Sequence, residues 1–154
     1  MLSRQIKRSD FDNIRLTIYY MSPFLLTLVP ISTDSLSTGG FADKIVVDGE
    51  ILEKHIDLIN QMIDADLIPI KPQTYVNARI YYKFETHGGK NLFDVAMWGF
   101  DDNLFVNGVE VEENDIFYDV IMPFLPDTIK NELKAYIEYE IYGYQNIQDD
   151  NGGL

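Results

Sequence analysis

The side chains available for chemistry are two histidines, no cysteine and twenty-five carboxylates. Without a thiol there is no disulfide, no thiolate metal site and no cysteine nucleophile. His55 falls inside the apolar arc of a helical stretch, where an imidazole reads as packed core. His87 belongs to a turn, His87-Gly88-Gly89-Lys90. The two lie on different elements, which rules out a histidine-rich zinc set. With no G-x-S-x-G either, nucleophilic catalysis by a Ser–His–acid set is not expected. The single glycines of VVDGEI and VNGVEV read as a cap and a turn, not as a phosphate-binding loop. Asp101-Asp102-Asn103 and Glu112-Glu113-Asn114-Asp115 could offer oxygens to calcium but lack EF-hand spacing. No metal and no cofactor is therefore expected.

One carboxylate pair merits a test for glycosidic chemistry. Glu85 and Asp94 fall on the same face of two neighbouring predicted strands. Lys83, opposite Asp94 in the expected register, gives Asp94 a plainer role as half of an ion pair. On the same face Arg79 meets Trp98, a cation–π pair, and Tyr81 meets Ala96. The three residues Tyr81, Trp98 and Arg79 form a candidate surface for a planar or sugar-like ligand.

Charge is the broadest signal. The net charge is −13. Residues 1–100 carry twelve acidic and ten basic side chains, whereas residues 101–154 carry thirteen acidic side chains against Lys130 and Lys134. An acidic back half repels nucleic acid and anionic membrane, so neither is an expected partner. It favours a basic protein. Asp101, Asp102, Glu110, Glu112, Glu113, Asp115 and Asp119 are the residues expected to meet it.

The elements that must position these residues follow from hydrophobic period. Residues 14–20 alternate with period two, and Phe24, Leu26 and Leu28 resume the alternation after Ser22-Pro23, which predicts an N-terminal hairpin. Residues 31–43, rich in Ser, Thr, Asp and Gly, form a loop with a short turn of helix, long enough to serve as a rim of a site. Lys44 to Val47 make a short strand. Asp48 caps one long helix over 49–65, with Ile51, Leu52, Ile56, Leu58, Ile59, Met62 and Ile63 in one arc.

A four-strand meander over 75–112 follows. With Thr86 facing Asn91, Phe84, Tyr82 and Ile80 meet Phe93, Val95 and Met97 in an apolar column. Asn107-Gly108 predicts a type I′ hairpin turn. Two helices close the chain, at 115–122 and 127–142, the second stopped by Gly143.

The expectation is one domain of the α+β class. Its antiparallel sheet packs on the 49–65 helix, and residues 1–12 and 143–154 are mobile. No signal peptide or bilayer-length apolar run is present, so a cytoplasmic protein is the simplest reading; a secreted chain that has lost its leader stays open. The function expected is that of a non-catalytic acidic protein-binding domain. It would be an inhibitor or immunity-type protein that neutralises a basic enzyme or toxin. The alternatives are a small-ligand or accessory module on Tyr81, Trp98 and Arg79, and a structural subunit of an assembly.

Overall fold

A computed structural model describes residues 8–98 and 103–152. Its frame is a six-stranded antiparallel sheet in the order β2-β1-β3-β4-β5-β6. The strands are β1 Ile14–Tyr20, β2 Asp43–Asp48, β3 Ile80–Thr86, β4 Asn91–Met97, β5 Phe105–Val106 and β6 Val109–Glu110. The helices are α1 Thr33–Thr38, α2 Gly49–Glu53, α3 Ile56–Ile63, α4 Ile116–Asp119 and α5 Asp127–Gly152, with 3-10 turns at Arg8–Asn13 and Met122–Phe124. The protein is thus α+β with an antiparallel sheet.

Alternation decides the two faces of the sheet. Leu16, Ile18, Ile80, Tyr82, Phe84, Phe93, Val95 and Met97 point inward. There they meet Leu52, Ile59 and Met62 from α2 and α3, Phe117 from α4, and Ile129 and Leu133 from α5. Tyr82 is fully buried yet satisfied, because its hydroxyl donates to the Phe117 carbonyl at 2.8 Å. Burial raises its pKa well above the ordinary tyrosine value. The outer face carries a second, smaller core of Tyr19, Tyr81, Ala96 and Phe105, covered by Ile31, Leu36 and Ala78. Residues 31–43 are therefore cover: α1 starts at an N-cap, Ser32, whose hydroxyl accepts from Ser35 N at 3.1 Å, and it lays Leu36 on the sheet.

The β3–β4 register pairs Ile80 with Met97, Tyr81 with Ala96, Tyr82 with Val95, Lys83 with Asp94 and Phe84 with Phe93, as the apolar column requires. An irregularity between Phe84 and Glu85 then sets Asn91 opposite Glu85, not Thr86. The Asn107-Gly108 turn has φ of 50° and 79°, the left-handed pair a type I′ turn needs.

Several expectations are corrected. The second arm of the N-terminal hairpin is not a strand. Both edges of β1 are taken, by β2 and β3, so residues 24–29 have no ladder to join. The long helix over 49–65 breaks at Lys54-His55 into α2 and α3. His55 is half-buried, with its ring edge-on to Phe124 at 4.9 Å, and so stands at the start of α3 on the border of the core instead of filling it. The helix expected over 115–122 shortens to α4 followed by the turn Met122–Phe124, because Pro123 cannot continue it.

At the chain ends, Phe11 lies within the 1–12 arm and is buried in the main core. The backbone of α5 continues through Gly143 to Gly152.

Candidate functional site

The outer face has a polar end and an aromatic end, and each uses the candidate residues differently. At the polar end Glu85 gathers the nearby cations. Arg15 Nε donates to its Oε1 at 2.9 Å, Thr17 Oγ1 to the same oxygen at 3.2 Å, and Lys83 Nζ lies 3.4 Å from Oε2. Burial alone would raise the pKa of this carboxyl, but Arg15 and Lys83 together outweigh it and hold the group below its ordinary value of 4.5. The sign follows: Glu85 stabilises the fold in full above that value, and its contribution is lost as pH falls below it. Glu85→Gln is therefore expected to flatten the acid limb of stability against pH, measured by urea unfolding from neutrality downward. A limb unchanged from wild type would contradict this role.

Lys83 thus turns along its own strand to Glu85, and the expected ion pair across to Asp94 does not form. Asp94 is instead held by neutral donors. The Tyr81 hydroxyl donates to its Oδ2 at 3.0 Å and Asn91 Nδ2 at 3.2 Å. The two carboxylates considered as a catalytic pair hold separate sets of partners.

At the aromatic end Arg79 and Trp98 stack as expected, with the guanidinium 3.8 Å from the ring centroid. This contact faces the interior. Arg79 is 0% exposed, and its Nε donates to the Leu25 carbonyl at 2.8 Å. Its Nη1 donates to Asn77 Oδ1 at 2.9 Å and to the Ala78 carbonyl at 3.0 Å. Trp98 Nε1 donates to the Pro23 carbonyl at 3.0 Å. A ligand stacking on this pair would have to displace residues 22–29. Tyr81, also buried, is stacked on Tyr19 and committed to Asp94.

What Arg79 and Trp98 do instead is fix a loop. They hold the backbone of 22–29 from inside through the Pro23 and Leu25 carbonyls. Phe24 packs edge-on against Tyr136 and Tyr139 of α5, at 5.4 and 6.3 Å between centroids. The remaining side chains are left in solvent: Leu26 is 81% exposed, Leu28 105% and Val29 70%. Isolated exposed leucines are ordinary, but a continuous run on a tethered loop is the kind of surface that marks an interaction site. One carboxylate, Glu140, lies beside Tyr136 under the loop, and Arg79 faces it from the sheet. Tyr136 hydrogen-bonds Glu140, and burial, followed by that carboxylate, raises the tyrosine's pKa.

Alternation alone places Phe24, Leu26 and Leu28 in a half-buried strand and does not reveal this ridge. A signal was present. Pro23 and Pro30 bracket the run, and proline cannot donate to a ladder.

The expected acidic interface is divided. Glu112, Glu113, Asp115 and Asp119 are exposed. Glu110 is 1% exposed, and its carboxylate accepts from Thr74 N and Thr74 Oγ1, both at 2.8 Å. Its backbone is clasped by Gln73, so Glu110 ties the 67–74 connector to β6. Asp101 and Asp102 lie outside the described residues. Compared with family models, curated proteins and solved structures, the chain matches none of them.

Proposed function

We propose that this chain is a non-catalytic protein-binding domain whose partner is a cationic protein, in the manner of an inhibitor or immunity-type protein that neutralises a basic enzyme or toxin. The observation that carries this reading is the tethered apolar ridge, Leu26 to Val29, on a chain of net charge −13. Tight interfaces combine a few apolar anchors at the centre with charge at the rim. A ridge fixed before binding loses little conformational entropy on docking. The rim charge selects the partner's sign, and the same charge opposes pairing with a second copy or with anionic lipid. Glu112, Glu113, Asp115 and Asp119 add long-range attraction and act mainly on the association rate.

The test uses the protein retained by immobilised wild-type chain from its source cells. Reversing all four of these carboxylates to lysine is expected to slow association about tenfold or more at low salt, and to flatten its salt dependence. Dissociation should change little. Unaltered association kinetics, or a retained partner that is itself acidic, would count against the reading.

A further inference from the structure

An open cavity of about 370 Å³ lies on the outer face along β4 and the β5–β6 turn. It is lined by Asp94, Asn91 and Asn107 and by the apolar Val76, Ala96 and Phe105. Recognition pockets for small groups start at about 300 Å³, so the space suffices for one side chain. Its one charged group is the Asp94 carboxylate, which forms no ion pair among the described residues. Glu85 engages both nearby basic groups, Arg15 and Lys83, and leaves Asp94 with the neutral donors Tyr81 and Asn91. Both of those hydrogen bonds fall on Oδ2, so Oδ1 keeps its accepting capacity.

The carboxylate is also fixed in place. Asp94 N donates to Asn107 Oδ1 at 3.0 Å, and Asn107 N donates back to the Asp94 carbonyl at 2.9 Å. Asn107 in turn sits in the left-handed turn with φ of 50°. The Tyr81 phenol is a dependable donor: burial, followed by Asp94 and then more distant groups including Asp34, raises its pKa far above the ordinary value. A preorganised carboxylate above an apolar floor suits a flat cation carried on an aliphatic stem. An arginine side chain has both parts, with a planar head that can reach Asp94 and the amide oxygens together.

We propose that the Asp94 cavity is a socket for a guanidinium group, presented as an arginine side chain on the surface of a protein partner. The cationic-partner reading supplies the source of the arginine; the socket itself stands on its own geometry.

The test needs no partner. Side-chain amide resonances of Asn91 and Asn107 are followed by NMR while N-acetyl-arginine amide, arginine blocked at both ends as in a chain, is added to the full-length protein. The expected result is saturable millimolar binding that moves both amides, with N-acetyl-lysine amide clearly weaker. Asp94→Asn, nearly isosteric, is expected to weaken it at least tenfold while the rest of the amide spectrum keeps its dispersion. Asn107→Ala, which unlocks the Asp94 backbone, should weaken it less.

Shifts that persist unchanged in Asp94→Asn, or no saturation up to tens of millimolar, would overturn the socket. Binding of free arginine but not of the blocked form would overturn the protein source. Leu26→Ser/Leu28→Ser should bind the probe as wild type does, so the socket and the ridge can fail separately.

Discussion

Gly49→Ala is expected to destabilise the protein heavily, although alanine is the better helix former. The two effects oppose each other. At the first position of α2, alanine gains at most ~1 kcal/mol of helix propensity over glycine. Against that, a Cβ on Gly49 would strike the Phe11 carbonyl, with its carbonyl carbon at 2.7 Å and the Ile14 carbonyl oxygen at 3.0 Å. These are backbone atoms. They cannot rotate aside as the end of a side chain could, so either α2 or the Arg8–Asn13 turn must move. Phe11 would be drawn out of the main core with that turn.

Overpacking of this kind costs ~1–3 kcal/mol, occasionally more, and contact with backbone puts Gly49 at the upper end. At this chain length ~3 kcal/mol lowers Tm by roughly 6–12 °C. Thermal and urea unfolding measure it. A gain of ~1 kcal/mol, the propensity value alone, would show that the Phe11 turn does not sit against Gly49. Phe11→Ala in the same background separates the causes: once the turn is released, the Gly49 substitution should cost much less.

Leu26→Ser/Leu28→Ser is expected to leave stability nearly unchanged and to remove most of the partner affinity. Both leucines are largely or fully in solvent, and surface substitutions of that kind stay within about 0.5 kcal/mol. As central anchors of an interface, apolar side chains are worth ~2 kcal/mol or more each when truncated. The pair should therefore lower affinity by ~4 kcal/mol, roughly 1000-fold. The loss belongs to dissociation, since a neutral substitution leaves electrostatic attraction intact. The carboxylate reversals show the opposite kinetic pattern, and the two variants together separate anchor from steering. An intact affinity in the leucine variant would assign the ridge no role in binding.

Much of this arrangement was legible in the residues themselves, and the parts that were not share a physical cause. The β3–β4 register could be read because an apolar column on one face and the Arg79–Trp98 pair on the other agree on a single alignment, and a one-residue slip loses both. Asn107-Gly108 could be read because few other residues tolerate that backbone. Residues 24–29 could not be placed from their alternation alone. Their exclusion from the sheet depends on β2, distant in sequence, occupying the free edge of β1. Lys83 has Asp94 across the ladder and Glu85 two residues along its own strand, and period alone does not choose between them; in the fold it joins Arg15 from β1 on Glu85. Glu110 looked like one more surface acid, and only its proximity to Thr74 shows it to be an internal tie. Local period predicts strands and turns; which of several equivalent partners a charge takes is a tertiary fact.

The most direct measurement places a photo-reactive residue at position 28, on the outermost leucine of the ridge, and illuminates the protein in extracts of its source cells. The expected result is a covalent adduct to one basic protein, suppressed by excess wild-type chain but not by excess Leu26→Ser/Leu28→Ser. An adduct to an acidic protein, to a second copy of the chain or to lipid, or no specific adduct while a probe at exposed Leu92 gives one, would contradict it.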